Sequence, residues 1–247
     1  MLGLKNHPFA VEAFFRRSLV LTFALPKEDL TERIPPCLEL DCLDNQWAFL
    51  AVAMVDTKDL RPKGFPKIFG RDFFLIGYRI FVKYHDGKGR RLRGLYVLKS
   101  ETNSSEMELI GNIFTHYGYS TTDIVQEEMA SQLTVQSKKS NFNIVVDLMN
   151  KEELPLPAQS PFRDWKQARR FAGPMPYTFN FLEKEQKVLI VKGVRRGWKP
   201  RPVYLNSQKF GFLEGMHLQH AQAASVFVIE NVPYYWEKGK LEAWSGK

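Results

Sequence analysis

Cysteine is scarce in this sequence, which has only Cys37 and Cys42 in its 247 residues. The two lie too close together to staple a scaffold, and no second Cys or His pair stands at zinc-finger spacing. These counts exclude a disulfide-rich secreted fold and a structural zinc finger, and they favour a reducing compartment.

Long apolar runs are also missing. The longest, LVLTFAL and FLAVAMV, fall far short of the roughly 20 residues that a bilayer-spanning helix needs. The first 18 residues lack the clean apolar stretch and small-residue cleavage site of a signal peptide. We therefore expect a soluble, cytoplasmic protein with no membrane partner.

Acidic residues are outnumbered, with 27 Asp and Glu against 35 Lys and Arg and a net charge of +8. This balance favours an anionic partner in general, whether a carboxylate, a phosphate or a polyanion, and selects none of them. The hydrophobic content of 44% is enough for a sizeable core. Because no repeat, low-complexity tract or long linker divides the chain, we predict one domain over residues 1–247.

Turn residues separate β-compatible apolar runs along most of the chain. Asp86 and Gly87 lie within residues 72–100 and predict a hairpin there, and Asp44 with Asn45 predicts another in residues 38–57. Further hairpins are predicted in residues 131–148 and 178–194, with a first strand at 19–25 and a last strand at 224–232. The predicted fold class is mainly β (α+β), with antiparallel sheets forming a partly closed barrel or cone and a few helices.

Three helices are predicted between these strands. A short one follows Pro26, and another begins with Ser160 as N-cap and Pro161 at the first helical position, covering residues 161–171. The third has the capping-box residues Ser105 and Glu108 and runs over residues 105–117, with Gly118 as a natural stop.

The helix predicted over 105–117 has two distinct sides. Its apolar side carries Ile110, Ile113, Phe114 and Tyr117, at helical steps. Glu108, Asn112 and His116 are spaced four apart and share another side, with Tyr119 just beyond the end. A solvated polar face and a pocket-facing one both fit this pattern. A metal site is disfavoured, since zinc needs at least three protein ligands.

The order and spacing of these segments resemble the domain-of-unknown-function 2071 family, which is grouped with the acetoacetate decarboxylase-like superfamily. The resemblance covers nearly the whole chain and is carried by residues 14–62, 72–84, 94–103, 108–120, 160–171 and 225–232. It implies a β-cone-like fold with an internal pocket, toward which the helix 105–117 leads.

The resemblance also bears on chemistry. In the decarboxylases this helix ends in a Phe-Pro-Lys-Lys motif, whose first lysine forms a Schiff base with a keto acid. This chain has no lysine between Gly111 and Asp123, which excludes imine chemistry from that position. The pocket acids of the decarboxylases are replaced by Leu50 and Leu75. Lys99 is the only nearby lysine, and we expect it to be solvated.

Other positions are carried over from the resemblance one at a time. Arg17 aligns with a pocket arginine of the superfamily and is expected to clamp a carboxylate. Arg79 matches an arginine common in the family, and Glu101 stands where the family tends to have an aspartate. Asn112 replaces a usual arginine.

The favoured hypothesis is a binder of a small organic ligand, carboxylates included, in an internal pocket, with no cofactor and no metal. Its predicted site consists of Arg17, Tyr78 or Arg79, Glu101, Asn112, His116 and Tyr119. An alternative is a divergent enzyme in which His116, paired with Glu101 or Glu108, is the general acid or base acting on a small carboxylate or keto compound. A filled, vestigial pocket is a third reading, and homo-oligomer formation is left open.

Nucleic-acid or polyanion binding is the remaining alternative. It rests on residues 192–201, where Lys192, Arg195, Arg196, Lys199 and Arg201 flank Trp198. Aromatic rings between cations can stack on bases while the cations bind phosphate. We favour a basic surface hairpin over a nucleic-acid site here.

Overall fold

Strands make up most of the structure, a computed structural model that describes residues 3–149, 154–172 and 175–246. The strands are β1 (Val11–Pro26), β2 (Glu39–Leu40), β3 (Trp47–Pro62), β4 (Arg71–His85), β5 (Arg91–Thr102), β6 (Tyr119–Thr121), β7 (Val125–Met129), β8 (Gln132–Ser137), β9 (Phe142–Asp147), β10 (Tyr177–Leu182), β11 (Lys187–Arg195), β12 (Arg201–Pro202), β13 (Tyr204–Phe210), β14 (Gln222–Trp236) and β15 (Lys240–Ala243). The helices are α1 (Glu28–Thr31), α2 (Ser105–Phe114), α3 (Trp165–Phe171) and α4 (Gly211–Gly215), with 3-10 turns at Lys67–Phe69 and Glu183–Glu185. Among these described residues no helix has both the length and the apolarity to cross a membrane.

The large sheet closes on itself as a ring of seven strands. The pairing order is β14, β1, β3, β4, β5, β10 and β11, and β11 pairs back to β14. Every neighbour in the ring is antiparallel except β5 with β10. The mainly β fold with few helices is therefore confirmed.

A second sheet of four strands, in the order β13, β9, β8, β7, packs against the outside of the ring. Strand β3 shows how the two layers share one strand. Leu50, Val52 and Met54 enter the core shared with the small sheet, while Ala51, Ala53 and Val55 face the interior of the ring. Both faces of the strand are covered, which explains why residues 49–55 form an unbroken apolar run.

Three predicted hairpins are confirmed: β4 with β5, β8 with β9, and β10 with β11. The hairpin predicted across Asp44 and Asn45 is wrong in its pairing. Both residues have positive φ and the chain turns there, but only Leu43 bridges to Trp47. Strand β2 pairs with β4 instead, because β1 already occupies one edge of β3 and β4 the other.

The helix boundaries differ from the predicted ones. Helix α2 is capped by Ser104, whose Oγ accepts a bond from the Met107 N–H at 3.1 Å, one residue before the predicted cap. It ends at Phe114, three residues earlier than predicted. Helix α3 starts after Asp164, so the predicted start at Ser160 is wrong. The Ser160 hydroxyl instead donates to the Ala224 carbonyl at 2.7 Å and fixes a loop on β14.

The last predicted strand lies inside β14, which is longer, and β15 follows it. Strand β15 pairs with β11 at the outer edge of the large sheet. Residues 240–243, KLEA, alternate polar and apolar side chains, but a run of four is too short for periodicity to identify a strand from the sequence.

Candidate functional site

A cavity of about 480 Å³ lies inside the ring of strands. Its walls are mainly apolar side chains from β1, β3, β4, β14 and α2. Its charged or titratable lining side chains are Arg61, Arg71, Arg79, Arg195, His7, Tyr117, Tyr119 and Tyr234. Among the described residues that line it there is no Asp, Glu or Lys. The cavity is thus an apolar chamber with an excess of positive charge.

Arg79 lies in the middle of β4 and points into this cavity. Side chains alternate along a strand, so its neighbours Tyr78 and Ile80 face the opposite way, into the core beneath the small sheet. Gly77 makes room for the guanidinium, since a Cβ there would lie 2.7 Å from Arg79 Nη2. The accessible surface that Arg79 retains faces the cavity.

Arg79 has no acidic partner within the described part of the chain. Other cavity arginines do: Arg61 pairs with Glu12 at 2.7 Å and with Asp59 at 2.6 Å, and Arg71 also pairs with a glutamate. Burial lowers the pKa of Arg79, partly offset by nearby tyrosines. At neutral pH it remains a cation, because an arginine starts from a pKa above 12.

Arg195 of β11 brings a second positive charge close to Arg79. Its guanidinium lies 5.4 Å from the ring centroid of Tyr234 and 5.7 Å from that of Trp198. One of its amino groups donates to the Met175 carbonyl at 3.3 Å. These cation–π contacts hold Arg195 without neutralising it.

Helix α2 presents its apolar side to the cavity through Met107, Ile110, Gly111 and Phe114. This corrects the expectation that the Asn112 side faces the pocket. The Asn112 side chain donates to the Tyr119 carbonyl at 2.8 Å and accepts from the Tyr119 N–H at 2.9 Å. It therefore positions Tyr119, which does line the cavity and whose ring rests on Gly111.

His116 also lies outside the cavity lining. Its Nε2 is 2.8 Å from Asn6 Oδ1, and burial together with Lys5 lowers its pKa. The histidine that does line the cavity is His7, in the segment before β1. Burial lowers the pKa of His7 to about 4, so its ring is neutral at neutral pH. His7 Nε2 is buried and has no hydrogen-bond partner among the described residues.

Arg17, Tyr78 and Glu101 lie on the other side of the ring wall. Arg17 pairs with Glu128 of the small sheet at 2.7 Å and with Glu230 of β14 at 3.1 Å. The expectation that Arg17 faces the pocket and clamps a carboxylate ligand is therefore wrong. Glu101 is buried, and its Oε1 pairs with Lys99 at 2.7 Å. Tyr78 lies beside this carboxylate, and burial with the Glu101 charge raises its pKa.

The two leucines that stand where the decarboxylase acids were expected lie on opposite faces of the ring wall. Leu75 lines the cavity, whereas Leu50 is fully buried in the core between the sheets. Lys99 is half-buried rather than solvated, with its ammonium 5.1 Å from the Phe212 ring centroid. His116 is bonded to Asn6, and in the described structure no hydrogen bond or ion pair joins it to Glu101 or to Glu108, the two carboxylates expected to pair with it.

A family model matches residues 12–235 of the chain. It is that of the domain-of-unknown-function 2071 family, described as an uncharacterised conserved protein. The chain belongs to this family. A search of curated proteins found no match.

Solved structures with the same fold are acetoacetate decarboxylase-like proteins. The acetoacetate decarboxylase of Legionella pneumophila superposes with a TM-score of 0.60 at 12% identity, over 94% of this chain and 87% of that one. An acetoacetate decarboxylase-like enzyme from Sphingomonas wittichii gives 0.62 at 9% identity, over 96% and 94%. The enduracididine biosynthesis enzyme MppR gives 0.54 at 10% identity, over 97% and 91%. The fold of the family member described here is thus acetoacetate decarboxylase-like.

The basic segment of this family 2071 protein is divided between the cavity and the surface. Arg195 and Trp198 line the cavity, Lys192 pairs with Glu237 at 3.0 Å, and Arg201 donates to the Leu148 carbonyl at 2.8 Å. Arg196 and Lys199 are exposed. The cations therefore do not form one continuous face.

Sequence reasoning overlooked several titratable groups of the cavity, among them His7, Tyr117 and Tyr234. The runs THYGYS and NVPYYW contain two of them and are dense in tyrosine. The clustering of tyrosines in these two runs was the available signal. No group of three or more His, Cys, Asp or Glu in the described ranges is arranged to hold a metal ion.

Proposed function

We propose that the protein binds a small organic anion in the cavity, and that Arg79 provides the counter-charge for a carboxylate. The observation that carries this is the Arg79 guanidinium, deep in the ring and facing the cavity with no acidic partner in the described residues. Tyr119 and Tyr234 lie close enough to influence its pKa. Their hydroxyls are further donors for a bound anion.

The energetics favour an occupied site. A buried, unpaired ion costs several kcal/mol of folding free energy. A carboxylate that accepts two parallel hydrogen bonds from a guanidinium offsets this cost, since charge-assisted bidentate pairs are among the strongest hydrogen-bonded contacts. The apolar walls contribute roughly 25 cal/mol per Å² of apolar ligand surface removed from water. The ligand class is therefore a carboxylate with an apolar body.

The structural relatives support a small-molecule role. MppR, of the same fold, was solved with the condensation product of pyruvate and imidazole 4-carboxaldehyde. Two other relatives are described as an acetoacetate decarboxylase and a decarboxylase-like enzyme. We propose binding rather than Schiff-base chemistry for this chain, because the described lining has arginines and no lysine.

Native mass spectrometry of the protein purified from cells tests this proposal, followed by a thermal-shift screen of organic carboxylates. We expect a retained or added anion to bind the native protein and the Arg17→Met variant alike, and to be lost from Arg79→Met. Arg17 is the matched control because it is an arginine on the outer face of the same wall. Equal binding by Arg79→Met, or loss in Arg17→Met alone, would contradict the assignment.

A further inference from the structure

Three large apolar side chains are exposed on one short loop between β3 and β4. We call residues 63–70 the mouth loop. In it Phe65 is 54% exposed, Ile68 83% and Phe69 55%. A single exposed apolar residue needs no explanation, but a cluster on one loop marks an interaction surface.

The mouth loop is part of the rim of the cavity. Phe69 lines the cavity, and its ring centroid lies 6.1 Å from that of Phe65. Phe9 and Ile110 also line the cavity and are exposed. The cavity therefore opens to solvent among these side chains, so whatever covers the mouth loop also covers the entrance.

The same region is basic. Residues 58–72 have five Lys and Arg against two Asp. Lys67 forms no ion pair within the described residues, and the Lys63 ammonium lies over the Tyr235 ring at 4.3 Å with no carboxylate partner there. Two uncompensated lysines thus flank an apolar tip.

We propose that the mouth loop docks on an anionic lipid surface. Phe65, Ile68 and Phe69 enter the boundary between headgroups and acyl chains, and Lys63 and Lys67 lie at the level of the anionic headgroups. Apolar insertion combined with basic residues is how peripheral segments bind anionic membranes. The positive net charge of the chain adds long-range attraction to such a surface.

A second copy of the chain fits this loop less well. A two-fold contact is made by the same patch on both subunits. It would bring Lys63 and Lys67 of one copy toward the same lysines of the other, and like charges in an interface are unfavourable. An anionic bilayer offers hydrocarbon and negative charge in the required layers.

Docking would place the cavity mouth at the membrane, so that an apolar carboxylate could enter without crossing bulk water; this consequence rests on the proposed function. The sequence predicted no membrane partner because it has no spanning segment. A surface contact by one loop requires none.

Flotation with lipid vesicles tests the docking. We expect the native protein to float with vesicles of phosphatidylcholine mixed with phosphatidylglycerol, and to remain behind with phosphatidylcholine alone. Ile68→Glu should weaken partitioning at least about tenfold, because it removes an inserted apolar side chain and adds a like charge. Met129→Glu, at a 76% exposed position of the small sheet, should leave partitioning unchanged.

A second pair of variants tests the charges. Lys63→Gln combined with Lys67→Gln should weaken partitioning about 25-fold, at about fivefold for each lysine near an anionic surface. Lys138→Gln combined with Lys139→Gln, an exposed pair in the β8–β9 turn, should have no effect. Circular dichroism of each variant checks that it is folded.

Three results would overturn the docking. The native protein could fail to float with the anionic vesicles, or Ile68→Glu could float as well as the native protein. The third is a dimer in sedimentation velocity that Ile68→Glu converts to monomer, which assigns the loop to a second copy. Binding of a water-soluble carboxylate in the absence of vesicles separates this proposal from the cavity function. If only the docking proposal is wrong, the carboxylate still binds but the protein does not float with the vesicles. If only the cavity function is wrong, the protein floats but the carboxylate does not bind.

Discussion

At the residue scale, Arg79 holds a charge where folding alone would favour an apolar side chain. It is deep in the ring, its pKa is lowered by burial, and the described residues supply no carboxylate for it. Residues retained at a cost to stability are typical of binding sites. The resemblance had selected Arg79 and Arg17 together, and only the three-dimensional structure separates them.

Strand alternation could have shown from the sequence that Tyr78 and Arg79 do not both line the cavity. Tyr78 and Arg79 are neighbours in a strand and must face opposite sides, so only one of them can line the cavity. Arg17 could not be placed in this way. Strand β1 is irregular against β3 between Phe15 and Arg17, and this irregularity changes which side chains face inward. Phe15 and Ser18 line the cavity, whereas Arg17 does not.

We predict that Arg79→Met raises the free energy of unfolding of the ligand-free protein by about 1–3 kcal/mol. The methionine side chain fills a similar volume, and the substitution removes an unpaired buried charge. Urea unfolding of both proteins measures this. Arg61→Met provides the contrast, since Arg61 has two carboxylate partners, and it should destabilise. A loss of stability in Arg79→Met would show that the charge is compensated.

At the scale of elements, α2 and the segment before β1 shape the cavity in different ways. The capping box and the apolar period predicted α2 to within a few residues, but they could not show which side faces inward. The polar side is satisfied locally, by the bonds of Asn112 to Tyr119 and of Glu108 to Thr121. Such side chain to backbone bonds depend on how the chain returns as β6, which periodicity does not reveal.

We expect Asn112→Ala to lower the free energy of unfolding by about 1–3 kcal/mol, because the substitution removes two hydrogen bonds to the Tyr119 backbone. The measurement is urea unfolding. Leu109→Ala, at an exposed position on the same helix, should change it by less than about 0.5 kcal/mol. If Asn112→Ala keeps full stability and instead loses ligand, the residue would be a ligand contact.

The segment before β1 makes stability depend on pH. His7 has a pKa of about 4 in the folded protein against 6.5 for an ordinary histidine. Between pH 6.5 and pH 4, His7 is therefore protonated in the unfolded chain but still neutral in the folded protein. The free energy of unfolding falls as the pH drops through that window. At about 1.4 kcal/mol per pH unit the loss reaches about 3 kcal/mol.

His7→Asn should remove this part of the acid destabilisation, and Asn also tolerates the positive φ of position 7. Unfolding free energies at pH 7 and pH 4.5 give the difference. His220→Asn, at an exposed histidine that pairs with Asp29, is the control. An acid destabilisation that is equally large in His7→Asn and the native protein would assign it to other groups.

At the scale of the whole molecule, the fold was predictable and the position of the site less so. Turn residues such as Asp86 and Gly87 predicted the local hairpins, and family membership is confirmed by the match over residues 12–235. Closure of the ring depends on β5 with β10 and on β11 with β14, pairs far apart in sequence or parallel, which no local pattern encodes. The single domain and the cytoplasmic location stay predictions.

The closed ring also explains why Arg79 and Arg195, the two cavity arginines without an acidic partner in the described residues, can dominate the site. Seven strands enclose a cavity of about 480 Å³ whose described lining has no acid. In such an apolar, enclosed space a charge interacts more strongly than it does in water. The affinity of the cavity should therefore depend mainly on whether the ligand is an anion.

Calorimetric titration of octanoate and of its neutral analogue octanamide into the native protein and Arg79→Met tests this most directly. We predict that the native protein binds octanoate at least about tenfold more tightly than octanamide, which corresponds to about 1.4 kcal/mol. Arg79→Met should lose most of this preference, and any remainder is due to Arg195, the second cation of the cavity. The account is contradicted if the native protein does not distinguish the two ligands, or if Arg79→Met retains the full preference for the carboxylate.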